Sequence, residues 1–392
     1  MAERRFELPG IQELKKEQED VRALPKKGQH LVIGGPGTGK SVLALLRARR
    51  HARAGEPHVF LVFNKLLHEA SCHLGGSKIS CFQWMAWFFK LFWEIAKKPV
   101  PRVAASPGSS WQDINWEGAN LILDRQLEGT DSRPEYIIID EGQDMPPDFY
   151  RVLISLRFEN FFVVADQHQQ IVSGKNSSRR DLEIELGIKH EQVIELKENH
   201  RNKYPIARLA REFYTGDIAS PEVTLPQDSG GKAKMPLLFT YQNNQFELMI
   251  NKILKMADRE PSKLIGIIAP DNKVRKLFFD ALQCGTEKIS LDNGSPFIRT
   301  YHYDHQEHVN FHEGGIMVIN AQACKGLEFE YVFLANIESY FCPSKDQDSL
   351  KRLFYVMVAR ARDQVILLRS SGKRCPADCI LPKNTNILKQ YP

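Results

Sequence analysis

A glycine-rich segment near the start of the chain has the residue types of a phosphate-binding loop. Residues 31–41 read LVIGGPGTGKS, an apolar run followed by the pattern GxxxxGKS. The glycines between 34 and 39 let the backbone curl so that its N–H groups face an anion. Lys40 adds a cation for the β- and γ-phosphates, and the Ser41 hydroxyl is a suitable ligand for Mg²⁺. We expect a helix to begin at Val42, with its positive end toward the phosphates.

This loop predicts binding of a nucleoside triphosphate. Its backbone contributes the positions Gly35, Pro36, Gly37, Thr38 and Gly39. The alternative, a glycine-rich turn that binds nothing, is disfavoured because a strand precedes the loop and a helix follows it. The motif does not indicate how the energy of the nucleotide is used.

Two carboxylates end a second apolar run. Tyr136–Ile139 is followed directly by Asp140 and Glu141. A strand end beside a phosphate loop is where a Mg²⁺-bound water is held. Asp140 is therefore predicted to bind the metal, and Glu141 to orient and deprotonate the attacking water. Two acids alone are more often a solvated strand end, but together with the phosphate loop they favour hydrolysis over transfer to a hydroxyl.

Nine short apolar runs predict strands that are buried on both faces. The runs are Leu31–Ile33, Val59–Phe63, Tyr136–Ile139, Phe161–Ala165, Val193–Leu196, Leu264–Ala269, Ile316–Ile319, Tyr331–Ala335 and Val365–Leu368. Helical stretches separate them, which is typical of an α/β fold with parallel sheets covered by helices. The runs form two groups, and a segment rich in Pro, Gly and Ser lies between the groups. We therefore predict domains at residues 1–195 and 196–392.

The overall composition excludes several classes of protein. The 392 residues carry 53 Lys and Arg against 48 Asp and Glu, so a net charge of +5 permits a nucleic-acid partner without indicating one. Seven scattered cysteines, an odd number, fit a reducing compartment better than a disulfide framework. The first residues are charged, and the most apolar stretch, Trp84–Ala96, is short and contains Lys90 and Glu94. We predict a cytoplasmic protein without a membrane partner.

The residues after Glu141 carry a resemblance to a known family. Residues 140–144, DEGQD, are similar to the DExQD motif of superfamily 1 helicases of the UvrD, Rep and PcrA type. Other segments resemble this family's motifs in the same order: Val164–Ile171 (VADQHQQI), Leu196–Arg201 (LKENHR), Ala323–Phe329 (ACKGLEF) and Arg352–Ala361 (RLFYVMVARA). The resemblance extends from about residue 14 to residue 368, almost the whole chain.

This resemblance implies two RecA-like P-loop NTPase domains, with ATP and Mg²⁺ bound in the cleft between them. Gln169 would sense the γ-phosphate, and Arg201 and Arg360 would act as arginine fingers that stabilise the transferred phosphoryl group. A surface salt bridge is the alternative for each arginine. Gly326 and Glu328 would couple the nucleotide to the nucleic-acid track.

Further positions are matched to the nucleotide base and to a single strand of nucleic acid. Gln18 resembles the adenine-reading glutamine, and His200 stands where the family has a tyrosine that packs on adenine. The implied nucleic-acid contacts are Phe63, Asn64, Lys65, Phe82 and Gln83.

Two departures from the family pattern leave the function open between two hypotheses. Val172 and Gly174 stand where the family has aromatic residues, and stacking of a base on an aromatic ring contributes roughly 1–3 kcal/mol. The chain also has little room for the family's large insertions. The first hypothesis is an ATP-dependent helicase or translocase on single-stranded DNA, with RNA as another possible substrate. The alternative is an ATP-gated regulatory subunit of a repair or phage-defence complex, with a partner such as a nuclease and little unwinding of its own.

Three other patterns were weighed. The histidines of the 301–312 segment suggest either a metal site or, more simply, a polar loop; they are His302, His305, His308 and His312. The aromatic residues from 84 to 93 have helical spacing and predict packing in a core or against a partner. The basic run at 47–53 predicts a solvated helix face, with nucleic-acid contact as the alternative.

Overall fold

Helices cover two parallel sheets, as the apolar runs predict. The computed structural model describes residues 7–9, 11–76, 78–103, 113–125, 132–169, 176–216, 219, 221–228, 230, 233–301, 310–340 and 346–391. Every neighbouring pair of strands within the two sheets is parallel. The predicted fold class is confirmed, and each of the nine predicted runs overlaps a strand. Across the described residues, none of the helices combines the length and the apolar character that crossing a membrane requires.

The chain divides into two compact units. The N-terminal unit consists of Leu8–Gly34 and Lys40–Leu196. The C-terminal unit begins at Lys197 and also includes the loop Gly35–Gly39. The assignment of domains to 1–195 and 196–392 remains a prediction about separately folding parts.

The N-terminal unit is built on a six-stranded sheet with the strand order β3-β2-β4-β5-β1-β6. Its strands are β1 (Gln29–Gly34), β2 (His58–Val62), β3 (Cys81–Gln83), β4 (Arg133–Ile139), β5 (Phe158–Ala165) and β6 (Ile194–Leu196). Its helices are α1 (Lys16–Ala23), α2 (Lys40–Arg53), α3 (Lys65–Gly75), α4 (Trp84–Ala96), α5 (Trp116–Asp124), α6 (Pro147–Ser155) and α7 (Arg179–Glu185).

Alternate residues of these strands pack into two apolar layers, one on each face of the sheet. In β1, Leu31 and Ile33 belong to the layer that contains Phe88 of α4. Val32 belongs to the opposite layer, together with Leu43 of α2. All five of these side chains are buried. Each buried aliphatic or aromatic side chain contributes roughly 1.5–3 kcal/mol to folding. Successive side chains of a strand point to opposite faces, and both faces of this sheet are buried. An unbroken apolar run therefore suits a strand here.

The C-terminal unit contains a seven-stranded sheet with the order β13-β7-β12-β11-β8-β10-β9. Its strands are β7 (Leu237–Tyr241), β8 (Leu264–Ala269), β9 (Ile298–Thr300), β10 (Gly315–Asn320), β11 (Phe329–Leu334), β12 (Ala361–Ser370) and β13 (Lys389–Tyr391). Its helices are α8 (Tyr204–Glu212), α9 (Phe246–Arg259), α10 (Asn272–Lys288) and α11 (Gln347–Val358).

One glycine of this sheet is required by close packing. A Cβ atom on Gly266 of β8 would lie 2.6 Å from the ring of Phe329, the first residue of β11. Phe329 is fully buried and is the last residue of the ACKGLEF segment. Because a larger residue at 266 would displace this ring, Gly266 helps to set the position at which that segment enters the sheet.

Candidate nucleotide and nucleic-acid site

The predicted phosphate and metal residues of the N-terminal unit lie at one edge of its sheet. Strands β4, β5 and β1 are neighbours and run parallel, so their carboxyl ends meet at the same edge. Asp140 follows β4, Asp166 follows β5, and Lys40 is the first residue of α2, two residues before the predicted start. The Lys40 Nζ atom lies 3.3 Å from Asp166 Oδ2, and both side chains are buried.

Asp140 is a fully buried carboxylate beside another carboxylate. Its Oδ1 atom accepts the N–H of Glu141 at 3.0 Å, whereas its buried Oδ2 atom has no hydrogen-bond partner. Burial and the charge of Glu141 raise the pKa of Asp140 to about 7. The Ser41 hydroxyl and the Lys40 ammonium lower the pKa of Asp140 and so offset part of this rise. A divalent cation at this position would remove the repulsion between the two carboxylates.

Glu141 has a left-handed backbone conformation, with φ of 54° and ψ of 45°. This region is unfavourable for a residue with a long side chain, and such strain occurs where the surroundings hold a functional residue in place. Glu141 is buried, and its Oε2 atom accepts a hydrogen bond from Gln143 Nε2 at 2.7 Å. The carboxylate therefore points in a direction that Gln143 fixes.

Gln143 links the two acidic strand ends. Its Oε1 atom accepts the N–H of Asp166 at 2.8 Å, while its Nε2 atom donates to Glu141. The side chain is completely buried. The sequence analysis identified Gln143 and Asp166 only as letters of two motifs and gave them no role. The DExQD motif was the one available signal for a role of Gln143, since it places an amide side chain two residues after the glutamate.

This arrangement fits Mg²⁺ and a nucleoside triphosphate. Oxygen donors are the ligands that Mg²⁺ prefers, and the unpartnered Oδ2 atom of Asp140 is a free donor of that kind. The Ser41 hydroxyl lies near the same carboxylate, as the predicted metal pair requires. Lys40 would supply a positive charge to the phosphates in place of its contact with Asp166.

The glycine-rich part of the predicted phosphate loop, Gly35–Gly39, belongs to the C-terminal unit. A hydrogen bond within the loop stabilises its conformation. Thr38 donates from Oγ1 to the carbonyl of Gly35 at 2.8 Å. Gly37 and Gly39 have φ of 84° and 89°, which favours glycine at both positions. The carbonyl of Gly37 accepts the N–H of His200 at 2.8 Å. In this conformation the loop packs closely against the Asn199 side chain.

The two predicted finger arginines are held by groups of the C-terminal unit. Arg201 donates from Nε to Glu328 Oε1 at 2.8 Å and from Nη2 at 2.5 Å. The predicted finger and the predicted coupling glutamate therefore form an ion pair, the alternative expected from the sequence. Arg360 is 1% exposed and donates to the carbonyls of Val356 and Leu327. Gly326 has φ of 79°, so the turn before Glu328 also favours glycine.

The remaining predicted nucleotide residues have structural contacts as well. Gln18 is buried in α1, and its Oε1 atom accepts the N–H of Lys15 at 3.1 Å. His200 lies 3.8 Å from Glu198 Oε2 through its Nε2 atom. Gln169 ends a short 3-10 helix, Gln167–Gln169, and its side chain is outside the described part of the structure. Val172 and Gly174 also fall outside the described residues.

The predicted nucleic-acid residues lie together at the ends of two neighbouring strands. β2 and β3 pair in parallel, with Val62 opposite Gln83. Gln83 donates from Nε2 to the carbonyl of Phe63 at 3.0 Å and caps α4 by accepting the N–H of Ala86. We call the residues Phe63–Lys65 and Phe82–Gln83 the β2–β3 edge.

The β2–β3 edge presents one aromatic ring and one helix start. Phe82 is 36% exposed, and it immediately follows the buried Cys81. Asn64 caps α3 by accepting the N–H of Leu67 at 2.8 Å, so Lys65 stands at the first position of that helix. A partly exposed ring and a cation at one sheet edge are the elements from which a single-strand contact is made.

The prediction of a solvated basic face at 47–53 is wrong for two residues. Arg47 is 5% exposed, and its guanidinium donates to the carbonyls of Leu24, Pro25 and Lys26. His51 is 1% exposed, and burial lowers its pKa to about 4. Both side chains connect α2 to neighbouring segments of the N-terminal unit, so their role is structural.

The other two patterns have mixed outcomes. The aromatic helix is confirmed as α4, with Trp84, Phe88 and Phe92 buried in the core, although Trp93 is 55% exposed. His302, His305 and His308 lie outside the described residues, so a metal site there remains a hypothesis.

A comparison with protein families finds a match to part of the C-terminal unit. Residues 315–368 match the family model of the UvrD-like helicase C-terminal domain. This segment extends from β10 into β12 and contains Gly326, Glu328 and Arg360. The match confirms the resemblance to UvrD-like helicases that the motifs indicate.

Part of the chain is also similar to a solved structure, with a low TM-score. No curated protein matches the sequence. Among solved structures, the C-terminal domain of a possible DNA helicase from Lactobacillus plantarum WCFS1 is similar at 18% identity, over 48% of this chain and 97% of that one. The TM-score is 0.33, and at this value the similarity carries no argument about function.

The bridging contacts of Gln143 generate a prediction. Gln143→Leu removes both hydrogen bonds and leaves the buried N–H of Asp166 unpaired, which we expect to cost about 1–3 kcal/mol in the free energy of unfolding. Glu141 loses its orientation, so the turnover number for ATP falls by roughly 10-fold or more while KM changes less. Urea unfolding and steady-state ATPase kinetics measure the two effects.

A matched control comes from the C-terminal unit. Gln364 is half-buried and donates from Nε2 to the carbonyl of Met235 at 3.1 Å. Gln364→Leu is expected to lower stability without lowering turnover. If Gln143→Leu keeps normal turnover, Gln143 does not position Glu141.

Proposed function

We propose that this protein is an ATP-driven motor of the UvrD-like type, which hydrolyses ATP and uses the energy to move along or remodel single-stranded DNA. The observation that carries the proposal is the edge of the N-terminal sheet, where Lys40 of α2 lies near Asp140 and Glu141, the two residues that follow β4. The family match at residues 315–368 supports the helicase class.

In the proposed reaction, each residue at this edge has a separate task. Lys40 would neutralise charge on the β- and γ-phosphates, and Ser41 and Asp140 would hold Mg²⁺. Mg²⁺, when bound, supplies charge neutralisation on the phosphate oxygens. Glu141 accepts the proton of the attacking water, and Gln143 keeps its carboxylate aimed at that water. The resemblance to the helicase family implies that Arg201, which is paired here with Glu328 of the ACKGLEF segment, stabilises the transferred phosphoryl group.

DNA is proposed to bind along the β2–β3 edge. Phe82 stacks on a base, and Lys65 pairs with a phosphate. Asn64 caps α3, which begins at Lys65, and Gln83, the residue after Phe82, caps α4. DNA binding and ATP hydrolysis would thus take place at the same edge of one sheet. The positions of the strands in the sheet would set the distance between the two sites.

The first test is the response of ATP hydrolysis to DNA. Single-stranded DNA is expected to stimulate the ATPase rate by roughly 10-fold or more, and the stimulation is expected to fall steeply with salt because phosphate contacts release counterions. Lys40→Ala and Glu141→Gln are each expected to lower the stimulated rate by about 100-fold or more. Lys90→Ala, at a lysine exposed on α4, is the control and should retain the normal rate.

The outcomes separate the two functional hypotheses. A rate that does not respond to DNA, but still requires Lys40 and Glu141, would contradict the motor and favour the ATP-gated subunit with a protein partner. Normal hydrolysis by Lys40→Ala or Glu141→Gln would overturn the catalytic assignment for both.

A second prediction concerns the exposed ring of the β2–β3 edge. Phe82→Ala should weaken the binding of a single-stranded oligonucleotide by about 1–3 kcal/mol at fixed salt, because one base loses its stacking partner. Fluorescence anisotropy measures the Kd. Phe297→Ala, at a ring that is 47% exposed in the C-terminal unit, is the matched control and should leave the Kd unchanged. Equal effects of the two substitutions would place the DNA elsewhere.

A further inference from the structure

Three soft ligands converge between α3 and β3 in the N-terminal unit, behind the β2–β3 edge. They are His68 and Cys72 of α3 and Cys81, the first residue of β3. One ligand atom from each lies within 4.8 Å of the other two, and no other such group of three occurs in the described residues. The cluster takes no part in the ATP chemistry proposed above.

The local fold brings the three side chains together. His68 and Cys72 are four residues apart, so they lie on the same face of α3. The helix ends at Gly75, and Gly76 with φ of 77° reverses the chain direction. Cys81 then enters the sheet beside β2, where it is 8% exposed. Cys72 is only half-buried, so the cluster is accessible from the surface.

The separations match a tetrahedral metal centre. Zn²⁺ binds thiolate sulfur at about 2.3 Å and imidazole nitrogen at about 2.0–2.1 Å, which places the two ligand atoms about 3.6 Å apart at a tetrahedral angle. His68 Nε2 and Cys72 Sγ lie 3.5 Å apart. The same Nε2 atom is 3.0 Å from the carbonyl oxygen of Cys81. On metal binding, this hydrogen bond would be replaced by a bond from Nε2 to the metal.

We propose that His68 Nε2, Cys72 Sγ and Cys81 Sγ bind one Zn²⁺ ion, with the fourth position open to water. Two thiolates and one imidazole are a donor set that suits zinc better than Mg²⁺ or Ca²⁺. The ion would fasten α3 to β3. Because Lys65 begins α3 and Phe82 follows Cys81, this link would fix the distance between the two proposed DNA contacts.

The metal content of the full chain tests the site independently of the proposed function. Protein purified without chelator is expected to contain about one zinc per chain by plasma mass spectrometry. Cys72→Ser, Cys81→Ser and His68→Gln should each lower the zinc affinity by roughly 100-fold or more. Cys284→Ser and Cys379→Ser remove exposed thiols and should retain the zinc.

A second measurement does not depend on how well the variants fold. Wild-type protein stripped of metal and titrated with Co²⁺ is expected to develop thiolate-to-cobalt charge-transfer absorption and the visible bands of tetrahedral cobalt. A protein that contains no zinc as purified and gives no such absorption would overturn the proposal. A disulfide between Cys72 and Cys81 in freshly purified protein, seen by mass spectrometry of unreduced peptides, would overturn it as well.

The positioning role has its own readout and rests on the proposed DNA site. Removal of zinc should weaken single-stranded DNA binding by at least about 5-fold and leave the ATPase rate without DNA unchanged. Bound zinc whose removal leaves the DNA Kd unchanged would overturn the positioning role and keep the metal site. Failure of the motor hypothesis would appear instead in the DNA-stimulated rate.

Discussion

The arrangement of the site depends on the burial of two adjacent carboxylates at one edge of a parallel sheet. Asp140 and Glu141 are 1% and 4% exposed, and burial of like charges side by side is unfavourable. Gln143 holds Glu141, Lys40 balances Asp166, and one oxygen of Asp140 has no partner at all. The remaining excess of negative charge is what a bound Mg²⁺ would neutralise. The rest of the N-terminal unit supplies the rigid frame that maintains this unfavourable arrangement.

The strand order is the part of the frame that matters most. Because β5 lies between β4 and β1, the backbone after β5 comes within reach of the Gln143 side chain from β4. The left-handed conformation of Glu141 then turns its carboxylate toward the same amide. A change in strand order would keep every motif in the sequence and would still separate these groups. The motifs therefore act only through the topology.

The sequence predicted the strands with long apolar runs, and it failed where contacts depend on neighbours. Runs such as Phe161–Ala165 are apolar throughout, so two buried faces were evident. The three-residue edge strands β3, β9 and β13 were not predicted, because three residues show no period, whereas β6, of the same length, was predicted from the run Val193–Leu196. Gln143 and Asp166 had no role assigned, because their link forms only once β4 and β5 pair and bring the two strand ends together.

The charged residues illustrate the same limit. Arg47 lies in a run of basic residues that is typical of an exposed helix face, yet its guanidinium is buried and donates to three backbone carbonyls. Arg360 and Arg201 match the family's finger positions, and their partners here are carbonyls and Glu328. A motif identifies the residue, but the energy of a charge is decided by atoms that come from other elements.

The heat stability of Asp140→Asn with and without Mg²⁺ and ATP tests the central claim most directly. At pH 8, where the carboxylate is ionised, the account predicts that asparagine raises the unfolding temperature of the nucleotide-free protein by at least about 2 °C, because the repulsion with Glu141 disappears. It also predicts that this variant loses the rise in unfolding temperature that Mg²⁺ and ATP produce in the unsubstituted protein. A variant that is less stable without nucleotide, and that keeps the full rise with Mg²⁺ and ATP, would contradict the account.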